Sequence, residues 1–95
     1  MSGGHFDYVQ HRFGDVAEEI DRIIRDNGMD DPDGWAHPAY SDATLARFRE
    51  AAVLCRRCEI MVHRIDWLVS DDDGEDDFHI RLDKELAELE KEVKL

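Results

Sequence analysis

The densest group of chemically active side chains is the acidic run at residues 71–77, Asp-Asp-Asp-Gly-Glu-Asp-Asp. Such spacing suggests a calcium loop, whose template has a ligand at position one, Gly at position six and Glu at position twelve. With Gly74 at position six, Val69 and Ile80 fall at the two ligand positions. Because the template fails at both ends, we predict a solvated acidic surface and no cofactor, with weak divalent-cation binding as the alternative. The acids that we predict to bind a partner are Asp71, Asp72, Asp73, Glu75, Asp76 and Asp77.

Two cysteines, Cys55 and Cys58, have the spacing of a redox pair. A redox pair needs a preceding strand and a helix N-terminus to lower the thiol pKa, whereas these residues lie in the middle of a predicted helix. We interpret both as small buried hydrophobic residues on its apolar face. The alternative is a zinc site with His63 and either His5 or His11, although this spacing matches no standard zinc motif.

Histidine and carboxylate side chains recur at helical spacing in His11–Asp15 and His63–Asp66. Neither pair comes with a candidate nucleophile at a recognisable spacing. We therefore interpret both as surface pairs and predict that the protein is not an enzyme.

Three arginines of the longest predicted helix, Arg56, Arg57 and Arg64, are candidate contacts for an anionic ligand such as a small nucleotide. The neighbouring acids Glu18 and Glu19 resemble the start of the magnesium-binding Glu-Glu-x-x-Glu motif of all-α nucleotide pyrophosphohydrolases. Arg22 stands where the third acid of that motif should be, and the next helix contains no Glu-x-x-Asp. A metal-dependent nucleotide hydrolase is therefore the least favoured of the functions considered.

The elements that position these residues are three helices and one long loop. Apolar residues recur at spacings of three and four and predict helices at about 8–27, 41–69 and 75–93. Ser41 is a natural N-cap for the second helix, and Asp15 with Glu18 allows the first helix to start as late as Val16. The predicted packing stripe of the long central helix comprises Phe48, Ala51, Ala52, Cys55, Cys58, Met61, Val62, Ile65, Leu68 and Val69. We predict an all-α fold, a compact three-helix antiparallel bundle that forms a single domain.

Residues 28–40 contain two prolines and two glycines, which predict a loop. Trp35 and Tyr40 are the residues that we expect to anchor it on the bundle. Alternatively, the same two aromatic side chains form a partner-binding hot spot.

The composition indicates what the chain binds. Its net charge is −12, which opposes direct binding to nucleic acid or an anionic membrane. No segment approaches the length of a membrane span, and the N-terminus lacks the pattern of a signal peptide, so we expect a cytosolic protein. A chain of 95 residues buries a modest core, and a homodimer would stabilise it.

Two stretches carry a resemblance to known proteins. Residues 2–8 read Ser-Gly-Gly-His-Phe-Asp-Tyr, and residues 64–68 read Arg-Ile-Asp-Trp-Leu before the acidic run. Both resemble a family of small phage and prophage proteins of unassigned function. As a class, small acidic phage proteins resemble host-directed inhibitors, including anti-restriction and anti-CRISPR proteins, which present acids where a nuclease complex expects phosphates.

The resemblance implies a phage origin and nothing about chemistry. By analogy with those inhibitors, the first hypothesis is a non-catalytic phage accessory protein that binds and inhibits a host protein in the host cytosol, such as a nucleic-acid-binding defence complex. The alternative is a protein that sequesters a small nucleotide signal through the three arginines, within one chain or across a dimer.

Overall fold

The computed structural model describes residues 4–29 and 39–93, in which three α-helices follow one another without any strand. They are α1 (His11–Arg25), α2 (Asp42–Val69) and α3 (Glu75–Val93). Helix α1 packs on α2, and α2 packs on α3. The predicted all-α three-helix fold is confirmed.

Helix α2 begins at the predicted cap. The backbone of Ser41 is extended, and its hydroxyl oxygen accepts a hydrogen bond from the Thr44 N–H at 3.3 Å. Asp42 in the first turn complements the positive end of the helix dipole. The helix ends at Val69, and Asp71 then adopts a left-handed backbone with φ 62°.

Helix α1 starts at His11, three residues later than predicted, and continues through Gly14 without a break. The capping box that we predicted from Asp15 is therefore absent, because Asp15 lies inside the helix. A Cβ atom at Gly14 would lie 2.6 Å from a carboxylate oxygen of Glu59 on α2, so a larger residue there would require the flexible Glu59 side chain to move.

Side-chain ion pairs show that neighbouring helices are antiparallel. Near opposite ends of α1, Asp21 pairs with Arg56 at 2.8 Å and His11 lies 3.4 Å from Glu59. On the other side of α2, Arg64 contacts Glu85 and Arg57 contacts Glu90.

The bundle is flat and elongated, which contradicts the prediction of a compact one. Its radius of gyration is 16.8 Å and its extents are 52 × 27 × 16 Å, whereas a compact chain of this length has a radius of gyration of about 12 Å. Among the described residues, α1 and α3 pack on different sides of α2 and not on each other. The core is correspondingly small, and its buried apolar residues are Ala17, Leu45, Ala52, Leu82 and Leu89.

The predicted packing stripe of α2 is therefore only partly covered. Ala52 is buried, whereas Met61 and Val69 remain 38% and 49% exposed. The prediction that both cysteines are buried is wrong: Cys55 is half-buried and Cys58 is exposed. Cys58 lies on a side of α2 that neither neighbouring helix covers.

Candidate functional site

The acidic run, here called the acidic turn (residues 71–77), comprises the connection after α2 and the first three residues of α3. Its backbone is held by hydrogen bonds to the end of α2: the N–H groups of Asp72 and Asp73 both donate to the Trp67 carbonyl, at 2.9 and 3.3 Å. On its other side, the Gly74 carbonyl accepts from Phe78 at 2.9 Å in the first turn of α3. These bonds connect the backbone of the turn to α2 and to α3.

Five of the six predicted acids of the turn are exposed: Asp71, Asp72, Glu75, Asp76 and Asp77. The last three lie in the first turn of α3, where the positive end of the helix dipole stabilises negative charge. The structure therefore places five carboxylates together on the surface at one end of the bundle.

Asp73 departs from the prediction, because its side chain is only 1% exposed. Its carboxylate accepts a hydrogen bond from Arg81 at 2.6 Å and lies 3.6 Å from a guanidinium nitrogen of Arg64. The Asp73 carboxylate is therefore not part of the exposed acidic surface. Its contacts with the two arginines connect the acidic turn to α2 and α3 on the buried side of the turn.

Arg64 is the buried cation of this network. Its side chain is 8% exposed, its Nε lies 3.4 Å from Glu85, and its guanidinium covers the Trp67 ring at 4.8 Å. The cation–π contact and the two carboxylates offset part of the lost hydration of the guanidinium, while the buried Arg64 Nε and Asp73 Oδ2 make no hydrogen bond. Arg64 is therefore a buried residue with a structural role.

The three arginines predicted to bind a nucleotide do not form one site. Arg56 turns toward α1 and pairs with Asp21, whereas Arg57 lies 3.8 Å from Glu90 on α3. Arg64 is buried against Asp73. No surface of the described residues presents all three guanidinium groups to a shared ligand.

A second buried carboxylate, Asp66, lies one turn of α2 before the acidic turn and is fully buried. Its oxygens accept from the backbone N–H groups of Gly4 at 2.9 Å and His5 at 2.6 Å, and from the Gln10 side chain at 3.2 Å. Burial raises the pKa of Asp66, but the hydrogen bonds from Gly4, His5, Gln10 and the Phe6 N–H outweigh it and hold the pKa below its ordinary value. The prediction of a surface pair for His63 and Asp66 is wrong.

The Asp66 contacts explain why the first helix begins late. Gly4 has φ 99°, a conformation that glycine adopts without steric cost, and this turns its N–H toward the carboxylate. Asp7 and Tyr8 also have positive φ, at 53° and 60°, which is uncommon for residues with side chains. Residues 4–10 thus wrap around Asp66 before α1 starts.

Two stretches singled out from the sequence, 2–8 and 64–68, meet where Gly4 and His5 donate to Asp66. One supplies the N–H donors near the N-terminus, and the other supplies the carboxylate and the acidic turn that follows it. Sequence reasoning missed this contact because the donors are backbone groups that lie 61 and 62 residues away from the acceptor. A backbone donor cannot be recognised from the type of residue that carries it.

His63 lies beside this site, with its ring 5.8 Å from both the His11 and the Trp67 rings. Burial, Arg64 and His11 together lower the pKa of His63 below its ordinary value of 6.5, so the ring is neutral at pH 7. In the part of the chain that the structure describes, no three His, Cys, Asp or Glu side chains are grouped to hold a metal ion. The zinc site considered for the cysteines and His63 is not assembled.

Of the two predicted loop aromatics, Trp35 lies outside the described residues. Tyr40 is 40% exposed and packs edge-on against Phe48, with ring centroids 5.2 Å apart. The Tyr40 N–H donates to the Asn27 side-chain oxygen at 2.7 Å, and the Asn27 amide donates back to the Tyr40 carbonyl at 3.3 Å. Tyr40 therefore anchors the end of the loop to α1 and α2.

No protein-family model, curated protein or solved structure matches this chain. Helices long and apolar enough to cross a membrane do not occur within residues 4–29 and 39–93.

Proposed function

We propose that this chain is a non-catalytic binding protein whose acidic turn docks in a basic groove of a host protein and inhibits it. The observation that carries the proposal is the set of five exposed carboxylates on one short turn. The turn is fixed before binding, because the Trp67 carbonyl holds its backbone and the buried Asp73 ties it to Arg64 and Arg81. A rigid charged surface loses little conformational entropy when it binds.

The chemistry of the partner follows from the charge. A net charge of −12 repels nucleic acid and anionic membranes, so the ligand of the turn is a cationic protein surface. A groove that ordinarily binds nucleic-acid phosphates has the required charge. Together with the resemblance to phage proteins, the required charge favours a host defence protein that binds nucleic acid in the host cytosol as the partner. The acidic turn would then inhibit that protein by competing with its nucleic acid.

The nucleotide-sequestering alternative has less support. Each of Arg56, Arg57 and Arg64 already pairs with a carboxylate of the same chain, so binding a phosphate would require breaking an existing ion pair.

The test compares two variants that remove the same charge from different surfaces. The turn variant is Asp71→Asn, Asp76→Asn and Asp77→Asn, and the matched control on the exposed side of α3 is Asp83→Asn, Glu88→Gln and Glu92→Gln. Affinity purification from host cells followed by mass spectrometry first identifies a protein that the wild type captures in stoichiometric amount. Association rates of the wild type and both variants are then measured over a series of salt concentrations.

We expect the turn variant to associate at least tenfold more slowly, with a weaker dependence on salt, and the control to keep a rate close to that of the wild type. Clustered charges act locally because attraction is screened beyond about 8 Å at physiological ionic strength. Equal rates and salt dependence for the two variants would show that the acidic turn is not the docking surface. A co-purified nucleotide without a host protein would favour the alternative function.

A further inference from the structure

The Gln10 side chain connects two ionisable residues of α2, Asp66 and His63. It is fully buried, and its amide nitrogen Nε2 lies 3.2 Å from Asp66 Oδ2 and 3.5 Å from His63 Nδ1. Its carbonyl oxygen Oε1 is also buried and has no hydrogen-bond partner among the described residues. A single amide nitrogen therefore faces both ionisable groups.

The charge of Asp66 fixes the orientation of the Gln10 amide. An ionised carboxylate only accepts hydrogen bonds, so the NH₂ group of Gln10, and not Oε1, must face it. The same NH₂ group has a second hydrogen for His63 Nδ1, which requires that Nδ1 be the ring nitrogen without a proton. Neutral His63 therefore carries its proton on Nε2.

Protonation of His63 conflicts with this arrangement. The second ring proton is added to Nδ1, where it faces the NH₂ group of Gln10, so two donors meet at 3.5 Å. If the amide turned over, the unpartnered Oε1 would accept from His63, but it would then face a carboxylate oxygen of Asp66. Gln10 can thus satisfy an ionised Asp66 or a protonated His63, but not both.

The charged groups around His63 come from all three helices. Burial, Arg64 of α2 and His11 of α1 disfavour the protonated ring, whereas Glu85 of α3 and Asp66 of α2 favour it. The first group of causes is the stronger, and it lowers the pKa of His63 below 6.5. The closed arrangement therefore opposes protonation, and by linkage protonation opposes the closed arrangement.

We propose that residues 4–10 form an acid-released latch: protonation of His63 turns Gln10 away from Asp66 and detaches the segment from α2, while the three helices stay folded. The helices remain because the latch precedes α1, and the buried apolar residues all lie beyond it. The latch is independent of the proposed function.

The backbone of the segment favours its release. Asp7 and Tyr8 have φ 53° and 60°, a conformation that costs free energy and persists only while surrounding contacts hold it. The N–H groups of Gly4 and His5, which donate to Asp66 in the closed latch, find water as a partner when the segment leaves. The latch is therefore closed above pH 6.5 and opens as the pH falls through the pKa of His63.

An NMR titration between pH 8 and 5 tests the latch, because His63 titrates in this range whereas Asp66, with a pKa below 3.8, stays ionised. The protein carries His5→Gln, which removes the titration of an exposed ring and keeps the backbone N–H of residue 5. Nitrogen shifts of the His63 ring report its tautomer, and hydrogen exchange at residues 4 and 5, corrected for intrinsic rates, reports attachment. We expect the Nε2–H tautomer at pH 8. Both amides should lose protection with the midpoint of the His63 ring, below pH 6.5.

Three variants in this background separate the proposed relay from other causes. His63→Asn supplies an uncharged acceptor oxygen in place of Nδ1, and Gln10→Met removes the amide but keeps an unbranched side chain of similar size. Neither should show the pH-dependent loss of protection. The matched control, His11→Gln, removes the other histidine that faces His63. It should keep the loss, with a higher midpoint, because a group that lowers the pKa of His63 is gone.

Several outcomes would overturn the inference. They are an Nδ1–H tautomer at pH 8, amides that stay protected through the His63 midpoint, and a loss of protection that persists in Gln10→Met. A loss that disappears in His11→Gln would make His11 the trigger and refute the role of His63. Circular dichroism over the same pH range should show constant helix content, since a parallel loss of helix would mean global unfolding and not release of the latch.

Discussion

Replacement of Asp66 by Asn tests how the N-terminal segment is held on α2. The substitution keeps the size and shape of the side chain but removes its charge and replaces one acceptor oxygen by an NH₂ donor. One oxygen of Asp66 accepts from His5, and the other accepts from Gly4 and Gln10. At least one of these bonds is therefore lost, and a buried N–H then faces another donor.

The magnitude follows from the number and kind of these bonds. A hydrogen bond to a charged group contributes about 1.5 to 3 kcal/mol, and the bonds that remain become neutral and weaker. We expect the free energy of unfolding to fall by about 2 to 3 kcal/mol, which lowers the Tm of a domain of this size by roughly 10 to 20 °C. Desolvation of the native carboxylate offsets part of the loss, because a neutral amide is less costly to bury.

Urea unfolding followed by circular dichroism measures the global effect, and hydrogen exchange at Gly4 and His5 measures the local one. Asp83→Asn is the matched control, because Asp83 is exposed on α3 and its replacement should change stability by less than about 0.5 kcal/mol. If Asp66→Asn unfolds at the same urea concentration as the wild type and its N-terminal amides exchange no faster, the buried carboxylate does not hold residues 4–10.

Two further predictions concern the same end of the molecule. Stability should fall as the pH drops below about 6.5: the pKa of His63 is lower in the folded chain, so the unfolded chain binds more protons. A further loss of stability should begin below about pH 3.8, because the pKa of Asp66 is lowered in the folded chain and its carboxylate stabilises the fold only while it is ionised. Urea unfolding midpoints measured between pH 8 and 3 test both losses. The variant His63→Gln should lack the first one. Asp73→Ala should cost about 3 kcal/mol, the low end for breaking a buried ion pair, because Glu85 remains 3.4 Å from Arg64. In urea unfolding at neutral pH, the exposed Asp77→Ala should cost much less, and equal losses for the two variants would contradict the bracing role of Asp73.

The bounds of α2 and α3 could be predicted from the sequence because they depend on local interactions. Ser41 caps α2 through a residue three positions away, and the acids at 75–77 act on the α3 dipole within one turn. The start of α1 depends instead on residues far along the chain. Residues 8–10 fall within the predicted helix, but the buried Asp66 binds backbone N–H groups of the N-terminal segment and holds the turns before His11.

The residues of the candidate site also divide into those that local sequence predicts and those whose position depends on tertiary contacts. The acidic run was recognisable from composition, and five of its six acids are exposed. Asp73 has the same chemistry and the same kind of neighbours in the chain, yet it is buried against Arg64 and Arg81. Which carboxylate points inward depends on where two arginines of different helices come to lie, and no local pattern contains that information.

The sequence by itself determined that α2 is a long helix with apolar residues at spacings of three and four, because a helix of 3.6 residues per turn places such residues on defined sides. Only the tertiary structure decided which sides of α2 are covered by α1 and α3, and that Leu54 and Met61 stay exposed. The physical reason is that the hydrophobic effect is non-directional and depends on the area removed from water. Apolar periodicity therefore predicts that a side of a helix will be buried, whereas the identity of what buries it depends on how the other helices pack.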